Sequence, residues 1–382
     1  MSTTDKLSFA ILGAGLLGSY LGARLQLAGH RVHFIGRGTL RGRLAASPYQ
    51  GLAVTSVSTL SADQGARPAA VVPREQVSLF ESYAAMRAAG VDVDHVVVTL
   101  KRISLRDTLQ PMRPFDDGGL SVVTLMNGMN PRADVLEVLP RASVIVGMWP
   151  FNVVELAPGH FHQSVEGMPL ELETTPAAEA VAAAFTGSGV ATELSPSIDA
   201  TLNGKLLVNL NNAVNALSGI PLKLELSTYA LRQVVASCIS EGLAVFAAHG
   251  MPSVSPIKVA PAWVLPVVMG TPDWVFTRVA AAPLAMDEKA TSSMQEDLVH
   301  CAPTEIEYLQ GALVRLGRDK GVPTPVCERV VQLIKRAEED NRARVERLGR
   351  EAAKHPEPPV KLTGEEILGE AASGSWLSWP RL

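Results

Sequence analysis

Residues 11–37, ILGAGLLGSYLGARLQLAGHRVHFIGR, carry the pattern that decides the fold. An almost wholly apolar run at residues 7–12 leads into this stretch and predicts a short buried strand. A helical pattern then continues to Gly29, and residues 31–35 form a second strand-like run. Strand, helix and strand in this order predict a β-α-β unit at the start of a parallel sheet.

The turn between the first strand and the helix has the spacing Gly-x-Gly-x-x-Gly. The first glycine allows a tight turn, the second lets the backbone approach a pyrophosphate, and the third lets the helix pack closely on the strand. Phosphates bound there would lie at the positive N-terminus of the helix. This context predicts a dinucleotide site whose cofactor-binding residues are Gly13, Ala14, Gly15, Leu16, Leu17 and Gly18.

The charges after the second strand favour NADP(H) over NAD(H). A site that prefers NAD usually carries an Asp or Glu about 20 residues after the glycines. No acidic residue occurs between Asp5 and Asp63, whereas Arg37 directly follows the second strand. A guanidinium pairs with a 2′-phosphate through two hydrogen bonds, so Arg37 is predicted as the main contact, followed by Arg41 and Arg43. The alternative is that these arginines lie on a solvated loop.

The predicted secondary structure changes from mixed strands and helices to helices near the middle of the sequence. Further strand-like runs in the first half cover residues 95–100, 120–126 and 143–146, and a hairpin around residues 158–159 and a run at 170–173 are predicted as added edge strands. The second half has helical periodicity at residues 200–217, 231–249, 303–320 and 326–350. The sequence therefore predicts an α/β dinucleotide-binding domain over residues 1–196, an all-α domain over 197–340 and a loosely held tail over 341–382.

A polar stripe on the helix predicted at residues 200–217 is the main candidate for the chemistry. Lys205, Asn209 and Asn212 are spaced to share one helix face, whereas apolar residues cover much of the rest. Because asparagine is a poor helix former, the stripe is interpreted as facing a cleft; the alternative is the solvated side of an amphipathic helix. Pro303 suits the first turn of a helix and would place Glu305 near its positive end, although by itself Glu305 is explained as an ordinary acidic first turn.

Together these segments make the chain resemble the ketopantoate reductase (2-dehydropantoate 2-reductase) family over most of its length. The matching stretches are residues 11–37, VTLK ending at Lys101, MNGM at 126–129, KLLVN at 205–209, SSMQEDL at 292–298 and TEIEYLQG at 304–311. The resemblance implies a Rossmann-type first domain and an all-α second domain like the C-terminal domain of 6-phosphogluconate dehydrogenase. It also implies NADPH-dependent reduction of ketopantoate to pantoate, a step of pantothenate biosynthesis.

The resemblance implies roles for single residues as well. Lys205 matches the catalytic lysine that protonates the carbonyl oxygen while the nicotinamide delivers hydride to the carbon. Glu305 matches the catalytic glutamate that holds the substrate hydroxyl, and it is also assigned to the cofactor site. The remaining matched positions are Asn209 and Ser293 for the substrate, Lys101 for the cofactor, and Asn127 for both.

One position departs from the family pattern. Family members commonly have a second asparagine eight residues after the lysine, where this chain has Ala213. Asn212 is therefore predicted to contact the substrate in its place, or else the pocket accepts a different acid. Two alternatives stay open: a related reductase of another 2-oxo acid or carbonyl compound, and a non-catalytic NADP(H)-binding regulator. The regulator is disfavoured because a sensor needs neither Lys205 nor Glu305.

The overall composition indicates a small-molecule partner. With 34 basic and 38 acidic residues the net charge is −4, which predicts binding neither to nucleic acid nor to an anionic membrane. The three cysteines lack metal-ligand spacing, and His160 and His162 lack a further ligand, so no metal is predicted. No signal peptide or membrane segment is predicted, which indicates a cytoplasmic protein, and a homodimer is left open.

Overall fold

The chain forms two compact units, Met1–Ile198 and Asp199–Leu382. The structure is a computed structural model that describes residues 6–36, 38–59, 70–254, 261–279, 287–349 and 360–369. Residue 196, the predicted end of the first domain, lies just before the division between the two units.

The first unit combines strands and helices. Its strands are β1 Ser8–Leu12, β2 Arg31–Ile35, β3 Gly51–Ser56, β4 Ala70–Pro73, β5 Ser78–Phe80, β6 His95–Val98, β7 Ser121–Thr124, β8 Ser143–Met148, β9 Val153–Ala157, β10 His160–Gln163, β11 Leu170–Glu173 and β12 Thr192–Ser195. Its helices are α1 Leu16–Leu27, α2 Thr39–Ala46, α3 Tyr83–Ala88, α4 Leu105–Leu109, α5 Pro131–Val138 and α6 Pro176–Gly187.

The larger sheet contains the parallel sheet that the sequence predicts. Its order in the described chain is β12-β11-β8-β7-β6-β1-β2-β5. The six strands from β8 to β5 are parallel, whereas β11 runs antiparallel to β8. All five residues of β1 are buried, as expected for a strand covered on both faces. The prediction of an α/β Rossmann-type first domain is confirmed.

The chain changes direction across the sheet at β1. It passes from β1 to β2 and β5 on one side, and then returns to β6 on the other side of β1. In sheets of this type, ligands bind outside the carboxyl ends of the strands at such a switch point. The glycine turn follows β1 directly and therefore occupies this position.

A second sheet departs from the sequence prediction. The predicted hairpin around residues 158–159 forms, with β9 and β10 antiparallel, but it does not extend the larger sheet. Instead β10 pairs with β3, which gives a separate sheet in the order β4-β3-β10-β9. The predicted edge strand at residues 170–173 does join the larger sheet, where β12 covers its outer side. The edge position of the hairpin was wrong because its pairing depends on β3, which is distant in sequence.

The second unit is helical in its described residues, which confirms the predicted all-α domain. Helix α7, Ile198–Asn209, starts at the division between the units. The others are α8 Asn211–Ser218, α9 Leu222–Ser227, α10 Tyr229–Ala248, α11 Val264–Met269, α12 Asp273–Val279, α13 Ser293–Val299, α14 Gln310–Lys320, α15 Pro325–Leu348 and α16 Gly364–Leu368.

Two predicted helices have different bounds in the structure. The single helix predicted over residues 200–217 is two helices, α7 and α8, which separate at Leu210. The Leu210 carbonyl accepts a hydrogen bond from Gln310 Nε2 at 2.8 Å, so a side chain takes the place of a helical N–H. The helix predicted from residue 303 begins only at Gln310, after a 3₁₀ turn at Ile306–Tyr308. Glu305 therefore precedes this turn and does not lie in the first turn of α14.

Helix α10 lies in the core of the second unit. It is the one described helix that is long and apolar enough to cross a membrane, but 61% of its most apolar window is buried inside the protein. Burial of that kind is typical of a core helix of a folded domain.

The described part of the C-terminal segment packs on the helical unit. Leu362 N donates to Leu217 O at 2.9 Å, and the side chain of Ile367 is fully buried. Helix α16 begins with a capping box in which Thr363 and Glu366 bond reciprocally. The expectation of a loosely held tail is therefore wrong for residues 360–369, because an apolar anchor and a capped helix fix them.

Candidate active site

The glycine turn after β1 has the geometry of a phosphate-binding turn. Gly13 has φ +103°, which residues with a side chain rarely adopt. A Cβ on Gly18 would lie 2.5 Å from Thr99 Oγ1 and would also collide with the Gly13 carbonyl oxygen. Apart from Gly15 and its chain neighbours, no atom of the described residues lies within 4 Å of the Cβ position of Gly15, so this side of the turn is open. As the sequence predicts, Gly13 allows the tight turn, Gly15 leaves room for a ligand to approach the backbone, and Gly18 lets the helix pack closely on the strand.

The N-terminus of α1 carries donors without a side-chain cap. Gly15 is the N-cap residue, no side chain accepts a hydrogen bond there, and the first turn contains no acidic residue. The backbone N–H groups of the first turn and the helix dipole together favour an anion at this end. The turn at Gly13, Ala14 and Gly15, continued by Leu16 and Leu17, therefore fits the pyrophosphate of a dinucleotide.

A cavity of about 390 Å³ lies at the carboxyl ends of β2 and β5. Its lining residues are Gly36, Gly38, Arg41, Leu79, Phe80 and Glu81. Gly36 N donates to Phe80 O at 3.1 Å, and Gly13 N donates to Ile35 O at 3.2 Å, which ties the cavity wall to the glycine turn. Arg37, the predicted contact of the 2′-phosphate, lies outside the described residues. Glu81 was missed by the sequence analysis because only the pairing of β5 with β2 brings it here.

Arg43 is held away from this cavity. Its guanidinium bonds Glu155 Oε2 at 2.8 Å and lies over the ring of Phe161. Because this pair packs α2 against the smaller sheet, Arg43 has a structural role, which neither the predicted cofactor contact nor the solvated-loop alternative included.

Two further predicted residues follow the neighbouring strands. Lys101 comes after β6 and is exposed, and Asn127 comes after β7 and is partly buried. Since β1, β6 and β7 are adjacent and parallel, their carboxyl ends bring Lys101 and Asn127 to the same sheet edge as the glycine turn. Arg102 fixes the loop after β7, because it donates to Met129 O at 2.7 Å and forms an ion pair with Asp134.

Lys205 lies on α7, in a low-polarity environment. The pKa of Lys205 is lowered from 10.5 to about 8 by desolvation, and the negative charge of Glu305 opposes this shift. An amine with a pKa of about 8 is mostly protonated at neutral pH, yet it releases a proton far more readily than an exposed lysine. The sequence left the direction of this shift open, and the structure shows that desolvation outweighs the carboxylate.

Packing on both sides fixes the position of Lys205 along α7. Asn203 Nδ2 donates to Pro252 O at 2.8 Å, and Val254 N donates to Ala200 O at 2.9 Å. Leu206 and Leu207 are fully buried. The helix is therefore anchored on two sides, and the ammonium group has a defined place.

Three predicted substrate residues have side chains that make no hydrogen bond within the described chain: Asn209, Asn212 and Ser293. Asn209 ends α7, whereas Asn212 belongs to the first turn of α8. Leu210, between the two helices, keeps a right-handed helical conformation, and its N–H donates to Leu206 O at 3.0 Å. The shared face from Lys205 to Asn212 therefore stays a prediction. Asn212 is placed by another contact, since its carbonyl accepts from Ser292 Oγ at 3.0 Å.

Ser292 connects the α8 and α13 sides of this cluster. It is the N-cap of α13 and accepts from Gln295 N at 3.1 Å, so its neighbour Ser293 begins the helix. The same hydroxyl donates to Asn212 O. One buried serine therefore positions two of the predicted substrate residues, Asn212 and Ser293.

A buried polar network lies beneath these residues and was not predicted. Asn215 Oδ1 accepts from Ser292 N at 2.8 Å, and Asn215 Nδ2 donates to Glu225 Oε2 at 2.8 Å. The carboxyl of Glu225 is 1% exposed, and burial raises its pKa to about 8, against the opposing hydrogen bonds from Asn215 and Asn211. Nothing in the sequence around Glu225 distinguishes it from a surface glutamate of an amphipathic helix.

The two histidines considered as metal ligands bond to a side chain of the protein. Thr55 Oγ1 lies 3.0 Å from both His160 Nε2 and His162 Nδ1. Within the described ranges, no group of three or more His, Cys, Asp or Glu side chains is arranged to hold a metal ion.

Comparison with known proteins identifies the family. Residues 9–172 match the model described as ketopantoate reductase PanE/ApbA, and residues 197–338 match the model of its C-terminal part. The chain is 30% identical over 254 residues to the 2-dehydropantoate 2-reductase of Halobacterium salinarum, covering 65% of this chain and 77% of that protein. It is 25% identical to the Mesorhizobium japonicum 2-dehydropantoate 2-reductase over 86% of this chain and 97% of that protein.

Solved structures share the fold. A PanE/ApbA family ketopantoate reductase from Ralstonia eutropha has a TM-score of 0.69 at 24% identity, covering 88% of this chain and all of that one. D-mandelate dehydrogenase in a ternary structure with NADH and anilino(oxo)acetate also has a TM-score of 0.69, at 20% identity and with the same coverage. The two family models in chain order, together with the relative at 30% identity, show that this chain belongs to the ketopantoate reductase PanE/ApbA family.

Proposed function

We propose that the chain is an NADPH-dependent reductase that converts ketopantoate, or a closely related 2-oxo acid, into the 2-hydroxy acid. The observation that carries this proposal is the pKa of about 8 at Lys205, within a unit in which the partly buried side chains of Asn209 and Asn212 make no hydrogen bond to the residues that the structure describes. A partly buried lysine with no catalytic use would be costly to keep in a desolvated position. We further propose that the protein acts in pantothenate biosynthesis, as the relatives' names suggest, and that it does so in the cytoplasm, as expected from the sequence.

The residues of the first unit would hold the cofactor. The uncapped N-terminus of α1 and the open side of Gly15 fit a pyrophosphate. Lys101 and Asn127, at the ends of β6 and β7, are assigned to the nicotinamide half. A bound NADPH supplies the hydride, which is chemistry that no side chain provides.

The residues of the second unit would handle the substrate and the proton. Hydride addition to a carbonyl leaves negative charge on oxygen, and the Lys205 ammonium stabilises that charge and donates the proton. The negative charge of Glu305 favours the protonated form of Lys205. We also assign Glu305 to binding the substrate hydroxyl. Asn209, Asn212 and Ser293 are assigned to binding and orienting the acid.

A turnover assay with matched lysine variants tests the proposal. NADPH oxidation is followed with ketopantoate for the wild type, Lys205→Ala and Lys320→Ala, where Lys320 is an exposed lysine at the end of α14. Loss of the proton donor should lower kcat by about 10²–10⁴-fold in Lys205→Ala, whereas Lys320→Ala should match the wild type. Full activity in Lys205→Ala would contradict the proposed role of the lysine.

A second candidate is the reduction of a bulkier 2-oxo acid. It is favoured by Ala213, which is fully buried where family members commonly have an asparagine. D-mandelate dehydrogenase, which shares the fold, was solved with anilino(oxo)acetate. A panel of aliphatic and aromatic 2-oxo acids separates the candidates by kcat/KM. Cofactor binding without turnover on any of them would favour a regulator instead.

A further inference from the structure

Among its described lining residues, the cavity at the ends of β2 and β5 carries one of each charge. Arg41 and Glu81 both line it, and the remaining lining is glycine and apolar residues. Both side chains are exposed, and neither forms an ion pair within the described ranges. A cation and an anion that face one cavity without neutralising each other act on a charged ligand in opposite directions.

The cavity lies where the adenosine ribose of a bound dinucleotide is expected, at the end of β2. It follows β2 directly, and hydrogen bonds through Gly36 and Ile35 connect it to β5 and to the glycine turn. An acidic residue at the end of β2 is the usual acceptor for a ribose 2′-hydroxyl, and this chain has none there. The fold nevertheless supplies a carboxylate to the same cavity, from the end of the neighbouring strand β5.

We propose that Arg41 and Glu81 form an opposed pair that sets the discrimination between cofactors with and without a 2′-phosphate. Arg41 attracts the phosphate, and Glu81 repels it and accepts a hydrogen bond from a 2′-hydroxyl. The preference for NADPH is therefore reduced by Glu81, and NADH remains a usable donor. This inference rests on the proposed function only in assuming that the first unit binds an adenine dinucleotide.

The expected size of the effect follows from the exposure of both groups. A unit charge that acts on a phosphate dianion at contact distance through water, with salt screening, changes affinity by about three- to tenfold. The effect should shrink as the salt concentration rises, because screening acts on exposed charges. A purely structural role of either residue would not depend on salt or on the 2′-phosphate.

Calorimetric titration with two nucleotides tests the proposal without turnover. Adenosine 2′,5′-bisphosphate and adenosine 5′-monophosphate differ only in the 2′-phosphate, so the ratio of their dissociation constants isolates its contribution. The ratio is measured for the wild type, Glu81→Gln, Arg41→Gln and Glu75→Gln. Glu75 is the matched control, because it is an exposed glutamate just before β5 that does not line the cavity.

Glu81→Gln should raise the preference for the 2′-phosphate by about three- to tenfold, and Arg41→Gln should lower it by a similar factor. Glu75→Gln should leave the ratio unchanged. A ratio in Glu81→Gln within about twofold of the wild type overturns the opposed pair, even if both nucleotides bind. If neither nucleotide binds the wild type, the dinucleotide site of the proposed function is wrong, and this inference falls with it.

Discussion

Neutralising Glu225 should stabilise the protein at neutral pH. Its pKa is about 8 in the folded protein against 4.5 as the ordinary value, because the carboxyl is buried. The folded state therefore holds a proton that the unfolded state has lost, and stability falls as pH rises from 4.5 to about 8. Each pKa unit corresponds to about 1.4 kcal/mol, so the cost at pH 7 is about 3 kcal/mol. Glu225→Gln should remove this cost, since the amide oxygen can still accept from Asn215 Nδ2.

Urea unfolding at several pH values measures this effect. At pH 7 and above, Glu225→Gln should unfold at a higher urea concentration than the wild type, and the two should converge as the pH falls towards 4.5. Glu339→Gln is the control, because Glu339 is an exposed glutamate on α15. If Glu225→Gln is destabilised equally at every pH, the carboxyl is ionised in the native state and the argument from burial is refuted.

Two further predictions concern the proton donor and the glycine turn. If Lys205 donates the proton, as we propose, kcat/KM should be level below pH 8 and fall by about tenfold per unit above it; a flat profile across this range would contradict the assignment. Gly18→Ala should lower the free energy of unfolding by about 1–3 kcal/mol, because its Cβ meets Gly13 and Thr99. Gly15→Ala should keep wild-type stability, since its Cβ position is open, and lose dinucleotide affinity in titrations. If both glycine variants lose the same stability, both glycines are required for the structure of the turn, and the separate binding role of Gly15 is contradicted.

Local patterns in the sequence predicted the parts of the fold that depend on neighbours in the chain. The glycine turn, β1, α1 and β2 follow from the order of glycine, apolar and helical segments within residues 7–35. The smaller sheet did not follow, because β3 is a fully buried run without alternation and pairs with β10, which lies about a hundred residues later. Periodicity alone could not show that residues 200–217 are two helices. The helical pattern is interrupted because the side chain of Gln310, which is distant in sequence, donates a hydrogen bond to the Leu210 carbonyl.

The same limit explains which candidate site residues could be proposed from the sequence. Lys205 and Asn209 belong to one helix, so their spacing revealed a shared face. Glu81 and Glu225 are ordinary glutamates in the sequence, and they acquire their environments from strand pairing and from the packing of α8, α9 and α13. A carboxylate is informative only once its desolvation or its neighbours are known, and neither can be derived from a local pattern.

The break at Leu210 also bears on the identity of the substrate. With Ala213 buried, the polar groups of α8 that remain for a ligand are those of its first turn, chiefly Asn212. A site that hydrogen-bonds a substrate hydroxyl discriminates strongly against the analogue that lacks it, because its own polar groups are then left without partners. If Asn212 takes the place of the missing asparagine, ketopantoate should be reduced far more efficiently than the same acid without its hydroxyl. If Asn212 makes no such contact, the two acids should react similarly, and the proposal of a bulkier 2-oxo acid gains support.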